Sequence, residues 1–138
     1  MRKVQIAFTS LLLLFFAGAA CRMIAQDKVP PANGAFVYNV ADQVTVEGTI
    51  QEAKDYKCPV TGTVGSHITV KTAGEALEVH LAPATYLKEY EMAFHAGESV
   101  KLVGVKIQFE GKPALLAKSV TVGGATFTFR DAKGRPLW

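Results

Sequence analysis

The sequence predicts an all-β domain with one helix: a five-stranded, OB-fold-like Greek-key barrel preceded by a signal peptide and a short linker. Three observations carry that expectation. Apolar and polar residues alternate in segments spread between positions 44 and 122, the period of half-buried strands. One segment after Pro83 switches to a spacing of three and four, the period of a helix. The resulting order, three strands, a helix and two strands, is that of an OB-fold.

The chain has 138 residues, and the first 42 stand apart from the barrel. Met1-Arg2-Lys3 is a positive start, and Val4 to Ala17 is apolar apart from Gln5, Thr9 and Ser10. Gly18-Ala19-Ala20 and Cys21 follow. This is the layout of a secretory signal peptide over residues 1–20, with an apolar stretch short for a stable membrane span. The domain is therefore expected to be exported, either periplasmic or anchored as a lipoprotein. Cleavage after Ala19 or Ala20 releases it. Cleavage before Cys21 leaves a thiol that can carry a lipid, and Gly18-Ala19-Ala20-Cys21 resembles a lipobox with Gly18 where Leu is usual. Without a lipid, Cys21 and Cys58, the two cysteines, can pair as a disulfide. Lipid anchor and disulfide exclude each other. Residues 21–42 contain Pro30-Pro31 and Asn33-Gly34 and read as a tether, with Phe36 to Val40 either a short strand or an arm on the barrel.

The folded domain is assigned to residues 43–138. Val44, Val46, Gly48 and Ile50 alternate with Thr45, Glu47 and Thr49, and Gly48 suggests a bulge or bend. Asp55 to Gly65 reads as a loop. Ile68 and Val70 then face Leu77 and Val79 across a turn near Ala73-Gly74. That register sets Ile68 opposite Val79 and His67 opposite His80, because a slip would pair apolar with polar side chains. Leu87, Tyr90 and Phe94 form one face of a helix of about three turns, with Thr85 as N-cap and Gly97 as C-cap. Val100 to Phe109 and Ala114 to Val122 are two further strands, with a bend at Gly104, and Thr126 to Phe129 is a short final one.

Charge narrows the range of partners. Of the 15 Lys and Arg, two lie in the leader, leaving 13 against 12 acidic residues and a mature net charge of +1. The signs alternate along the chain, which disfavours a polyanion as partner. Nucleic acid remains a third alternative only, because the binding face lacks the stacked aromatics of a single-strand platform.

Several segments resemble those of exported bacterial OB-fold proteins. They are Val44-Thr45-Val46-Glu47-Gly48-Thr49-Ile50, Glu78-Val79-His80-Leu81, and Ala96-Gly97-Glu98-Ser99-Val100-Lys101-Leu102-Val103-Gly104. The closing Phe129-Arg130-Asp131-Ala132-Lys133-Gly134-Arg135-Pro136-Leu137-Trp138 looks like the tail of small, poorly characterised members. The resemblance covers most of the mature chain. It implies the fold and leaves the ligand open, since OB-folds host many functions.

Candidate chemistry centres on the second and third strands. His67 and His80 are directly opposed, on the face away from Ile68 and Val79, and are expected to point outward. Opposed Cβ atoms lie roughly 4.5–5.5 Å apart, so both imidazoles can reach one metal ion, zinc or copper, with Glu78 or Cys58 as a third ligand. The same face carries Thr69, Lys71 and Glu78 and suits a small polar ligand or a protein partner. Against both stands a plain solvated sheet. His95 is expected at the helix end, where the dipole suffices to explain it. Lys57 beside Cys58 raises the alternative of a reactive thiol, but a base and an oxyanion site are missing. Arg130 and Trp138 either plug one barrel end or line a recognition groove. No catalytic constellation can be assembled, so the expectation is an exported, non-catalytic binding or accessory module, with a metal-binding protein as the alternative.

Overall fold

Alternation along the strands is what closes this chain into a barrel. The computed structural model describes residues 36–58 and 63–138; the leader, Cys21 and most of the tether lie outside them. The elements are a 3-10 turn at Val40–Asp42, β1 (Gln43–Lys57), β2 (Val64–Lys71), β3 (Ala76–Pro83), α1 (Ala84–Glu89), β4 (Ser99–Phe109), β5 (Lys112–Val122) and β6 (Ala125–Thr128). They form one sheet in the order β3-β2-β1-β4-β5-β6. A parallel pairing of β3 with β5, Glu78–His80 against Ala114–Leu116, joins the two sides and closes it. Five strands closed this way, with a helix between the third and fourth, make the expected OB-fold barrel. β6 adds a short strand on β5, pairing Ser119–Val122 with Ala125–Thr128.

Apolar side chains fill the barrel interior. Ile50, Ile68, Val70, Leu77, Val79, Leu102, Leu115, Val120 and Phe129 are all but completely buried in it. The β2–β3 register is the expected one: Ile68 faces Val79, Val70 faces Leu77 and His67 faces His80. The apolar set fixed it, since any odd shift would turn these side chains out of the core.

Three local expectations need correction. β1 does not end near Ile50 but runs to Lys57, through residues that read as loop. Its first half pairs with β4 and its second half with β2, so one strand serves both sides of the barrel and must bend. The bulge that bends it lies between Ile50 and Glu52, not at Gly48. Gly48 is needed for another reason: a Cβ there would run into the Lys71 carbonyl and the Val70 side chain. Beyond Ile50, β1 is exposed on both faces, which erased the period-two signal.

The helix is also shorter than expected, spanning only Ala84–Glu89, with Pro83 as N-cap and no side-chain cap from Thr85. Glu91 takes a left-handed conformation, φ 51°. The N–H of Glu91 then donates to Lys88 O and that of Met92 to Leu87 O. That pair of bonds is a Schellman ending. Phe94 still reaches the core, but from irregular chain, and His95 therefore caps no helix.

Candidate metal centre

A second, smaller cluster lies against the outside of the barrel wall. It is built where β1, β2 and β3 end together. His67 and His80 project from β2 and β3 on the face away from the core, as alternation requires. The corrected length of β1 changes their surroundings. Lys54 pairs with His67 and Tyr56 with Gly65, so the Tyr56 ring lies flat on the His67 ring, centroids 4.0 Å apart. Phe109, the last residue of β4, meets His80 edge-on at 4.6 Å, and Phe36 from the N-terminal arm lies 6.2 Å from it. The histidines expected to face solvent are therefore buried, His67 at 2% exposure and His80 at 7%.

Cys58 closes the cluster. It follows β1 directly, is 4% exposed, and packs with Phe109 and Ala114. Its N–H donates to Thr63 O at 2.8 Å, which holds the end of β1 beside the start of β2. Among the described residues Cys58 is a free thiol, and the Cys21–Cys58 disulfide alternative rests on Cys21, which lies outside them. One ligand atom from each of Cys58, His67 and His80 lies within 4.8 Å of the others.

The ring nitrogens carry the chemical information. His67 Nε2 and His80 Nδ1 face each other at 3.0 Å, so one proton is shared between them. The remaining nitrogens, His67 Nδ1 and His80 Nε2, are buried without a hydrogen-bond partner among the described residues. The Gly65 backbone favours a proton on His67, and Glu78 Oε1 stands 3.7 Å from His80 Nε2. His80 Nε2 is thus placed to carry hydrogen. Two neutral imidazoles have two N–H groups between them, and the inner contact takes one. Either tautomer therefore leaves one outer nitrogen bare.

Protonating a ring does not resolve the conflict. Burial pushes His80 down to about 4, with the neighbouring His67 acting the same way and Glu78 opposing it. Burial also lowers His67, against the pull of Glu78. Tyr56 donates a short hydrogen bond to Glu78, and burial together with that bond pushes its phenol well up. The pair is held neutral, the form that ligates metals.

The remaining sequence-predicted residues divide. Glu78 is half-buried and sits behind His80, as partner of its outer nitrogen rather than as the third ligand. Thr69 is half-buried and Lys71 exposed, so the continuous five-residue surface breaks at the histidines. Sequence reasoning missed Tyr56 and Phe109, which cover the pair. Their one signal was being aromatic at the ends of strands. His95 is exposed, with its Nδ1 3.5 Å from Glu98 Oε1.

Residues 42–127 match the sequence model of the MamS/MamX magnetosome protein family. The chain belongs to this family. The matched span holds Cys58, His67 and His80, and stops short of Arg130 and Trp138. No curated protein matches this member of the family. Among solved structures it is similar to Rim1, a mitochondrial single-stranded DNA-binding protein from S. cerevisiae. One crystal form gives a TM-score of 0.46 at 7% identity, covering 63% of this chain and 96% of that one. A second form gives 0.39 at 12% identity, covering 63% and 97%. Nothing about ligands follows from likeness at that level.

Proposed function

We propose that this MamS/MamX family member is a non-catalytic binding module that holds one transition-metal ion through Cys58, His67 and His80. The observation supporting this is the pair of orphaned outer nitrogens. With a metal on His67 Nε2 and His80 Nδ1, both ring protons would sit on the outer nitrogens, that of His80 toward Glu78. Every ring nitrogen then has a role, and the outer contacts become the second shell that orients metal-bound histidines. A thiolate and two imidazoles suit zinc or copper(I). Around a tetrahedral zinc the nitrogens would stand roughly 3.3 Å apart and each about 3.5 Å from sulfur. The 3.0 Å inner contact needs to open only by tenths of an ångström.

The compartment is part of the same proposal. A leader over residues 1–20, with Cys21 free to carry a lipid, would take the domain across a membrane. The family's magnetosome description agrees with a membrane-associated setting. Mass spectrometry of the mature N-terminus tests this, and an unprocessed Met1 would remove the export reading.

Metal analysis of the purified chain, followed by titration with zinc and copper(I), tests the site. One ion per chain is expected. Cys58→Ser, His67→Gln and His80→Gln should each weaken binding by about a hundredfold or more, since even second-shell changes cost 10–100-fold. Equal affinity in all three variants would remove the proposal.

A further inference from the structure

We propose a second ligand site beside the metal centre, a cavity that takes a small organic carboxylate with an apolar body, recognised by Arg130. The cavity measures about 360 Å³, within the usual range for small-molecule sites. Its walls are largely apolar, with Phe36, Leu81, Ala82 and Leu116 among them; Cys58, His67 and His80 line it too, and Arg130 and Trp138 complete it.

Arg130 is what selects an anion. It is only 8% exposed, yet no carboxylate lies within ion-pair distance of it among the described residues. A buried cation without a counter-charge is costly, and burial accordingly lowers its pKa. The guanidinium is rigidly placed. It lies over the Tyr38 and Trp138 rings, each centroid 5.2 Å away, and Nη1 donates to Gly134 O at 3.1 Å. The closing turn fixes that carbonyl: Gly134 N–H donates to Asp131 O, and Asp131 N–H to Arg135 O. The N–H groups of a guanidinium lie in its plane. Nε is buried without a partner. A carboxylate in the cavity that Arg130 lines would pair with the guanidinium, whose planar fork suits that group. Its apolar body would fill the cavity toward the histidines.

This site does not depend on metal at the histidines, and its test separates the two proposals. Trp138 is the only tryptophan, so its emission reports directly on Arg130's surroundings. Full-length, metal-stripped protein is titrated with hexanoate and benzoate, with hexanol and benzyl alcohol as uncharged counterparts, by fluorescence and by calorimetry. Saturable binding of the acids is expected, at least about tenfold tighter than of the alcohols. Arg130→Lys, which keeps the charge and loses the fork, should weaken acid binding about tenfold or more. Ala82→Phe, which puts a large side chain on the cavity wall, should abolish it. Circular dichroism shows whether each variant is folded. Acids and alcohols binding alike, an unchanged affinity in Arg130→Lys, or no saturable response in folded wild-type protein would each overturn the carboxylate site. Zinc titration of the same samples is read separately, so loss of one proposal leaves the other standing.

Discussion

The barrel interior and the cluster outside its wall are both buried, yet they are built on opposite principles. The interior is filled by Ile50, Leu102, Leu115, Phe129 and their apolar neighbours. The outer cluster buries His67 and His80 beneath Tyr56 and Phe109 and leaves two nitrogens unbonded among the described residues. A purely structural patch on that wall would be more stable if it were apolar, because buried polar groups without partners cost free energy. The interior is made to hold the fold. The outer cluster trades stability for two imidazoles and a thiol in one place.

Four measurements bear on that contrast. The largest effect should come from the interior. Phe129→Ala or Leu102→Ala should cost about 3–5 kcal/mol in denaturant unfolding, whether or not metal is present. A cost under about 1 kcal/mol would mean that these side chains do not hold the barrel together.

Acid should act on the outer cluster. His80 is depressed to about 4 in the fold, whereas an unfolded histidine titrates near 6.5. The unfolded chain therefore binds the proton more readily. The stability tied to a neutral His80 is complete above about pH 6.5 and lost as pH falls toward 4, by up to about 3 kcal/mol. Denaturation of metal-free protein across that range checks it, and a flat profile would contradict the burial.

Zinc at a hundredfold excess over its dissociation constant should stabilise the wild-type chain by about 2.7 kcal/mol. The rise in melting temperature should vanish in Cys58→Ser. An equal rise in that variant would place the metal elsewhere.

The smallest expected effect is the most discriminating. Replacing both histidines together, His67→Leu with His80→Phe, should leave metal-free stability within about 1 kcal/mol of wild type, or raise it. His67→Leu alone strands its partner and should cost about 1–3 kcal/mol. If the double variant were the worse of the two, the histidines would be structural after all.

Much of this was legible in the sequence. Alternation in Val44–Ile50, Ile68–Val70 and Leu77–Leu81 fixed strand identity, and the same alternation fixed the register that sets His67 against His80. The helix was legible in place but not in length, because the left-handed turn at Glu91 carries no glycine to announce it. The covering of the histidines was not legible at all. It depends on β1 running on to Tyr56, through residues exposed on both faces that follow no apolar period.

By itself, then, the sequence determined which faces of the strands turn inward and which residues pair across them. Both are consequences of a two-residue period that reads out locally. Only the tertiary structure decided that the outward face is buried, that Cys58 joins His67 and His80, and that Arg130 lies beside the same cavity without a carboxylate among the described residues. Those contacts join the ends of separate strands and the closing turn. Barrel curvature brings such ends together over distances that no local pattern encodes.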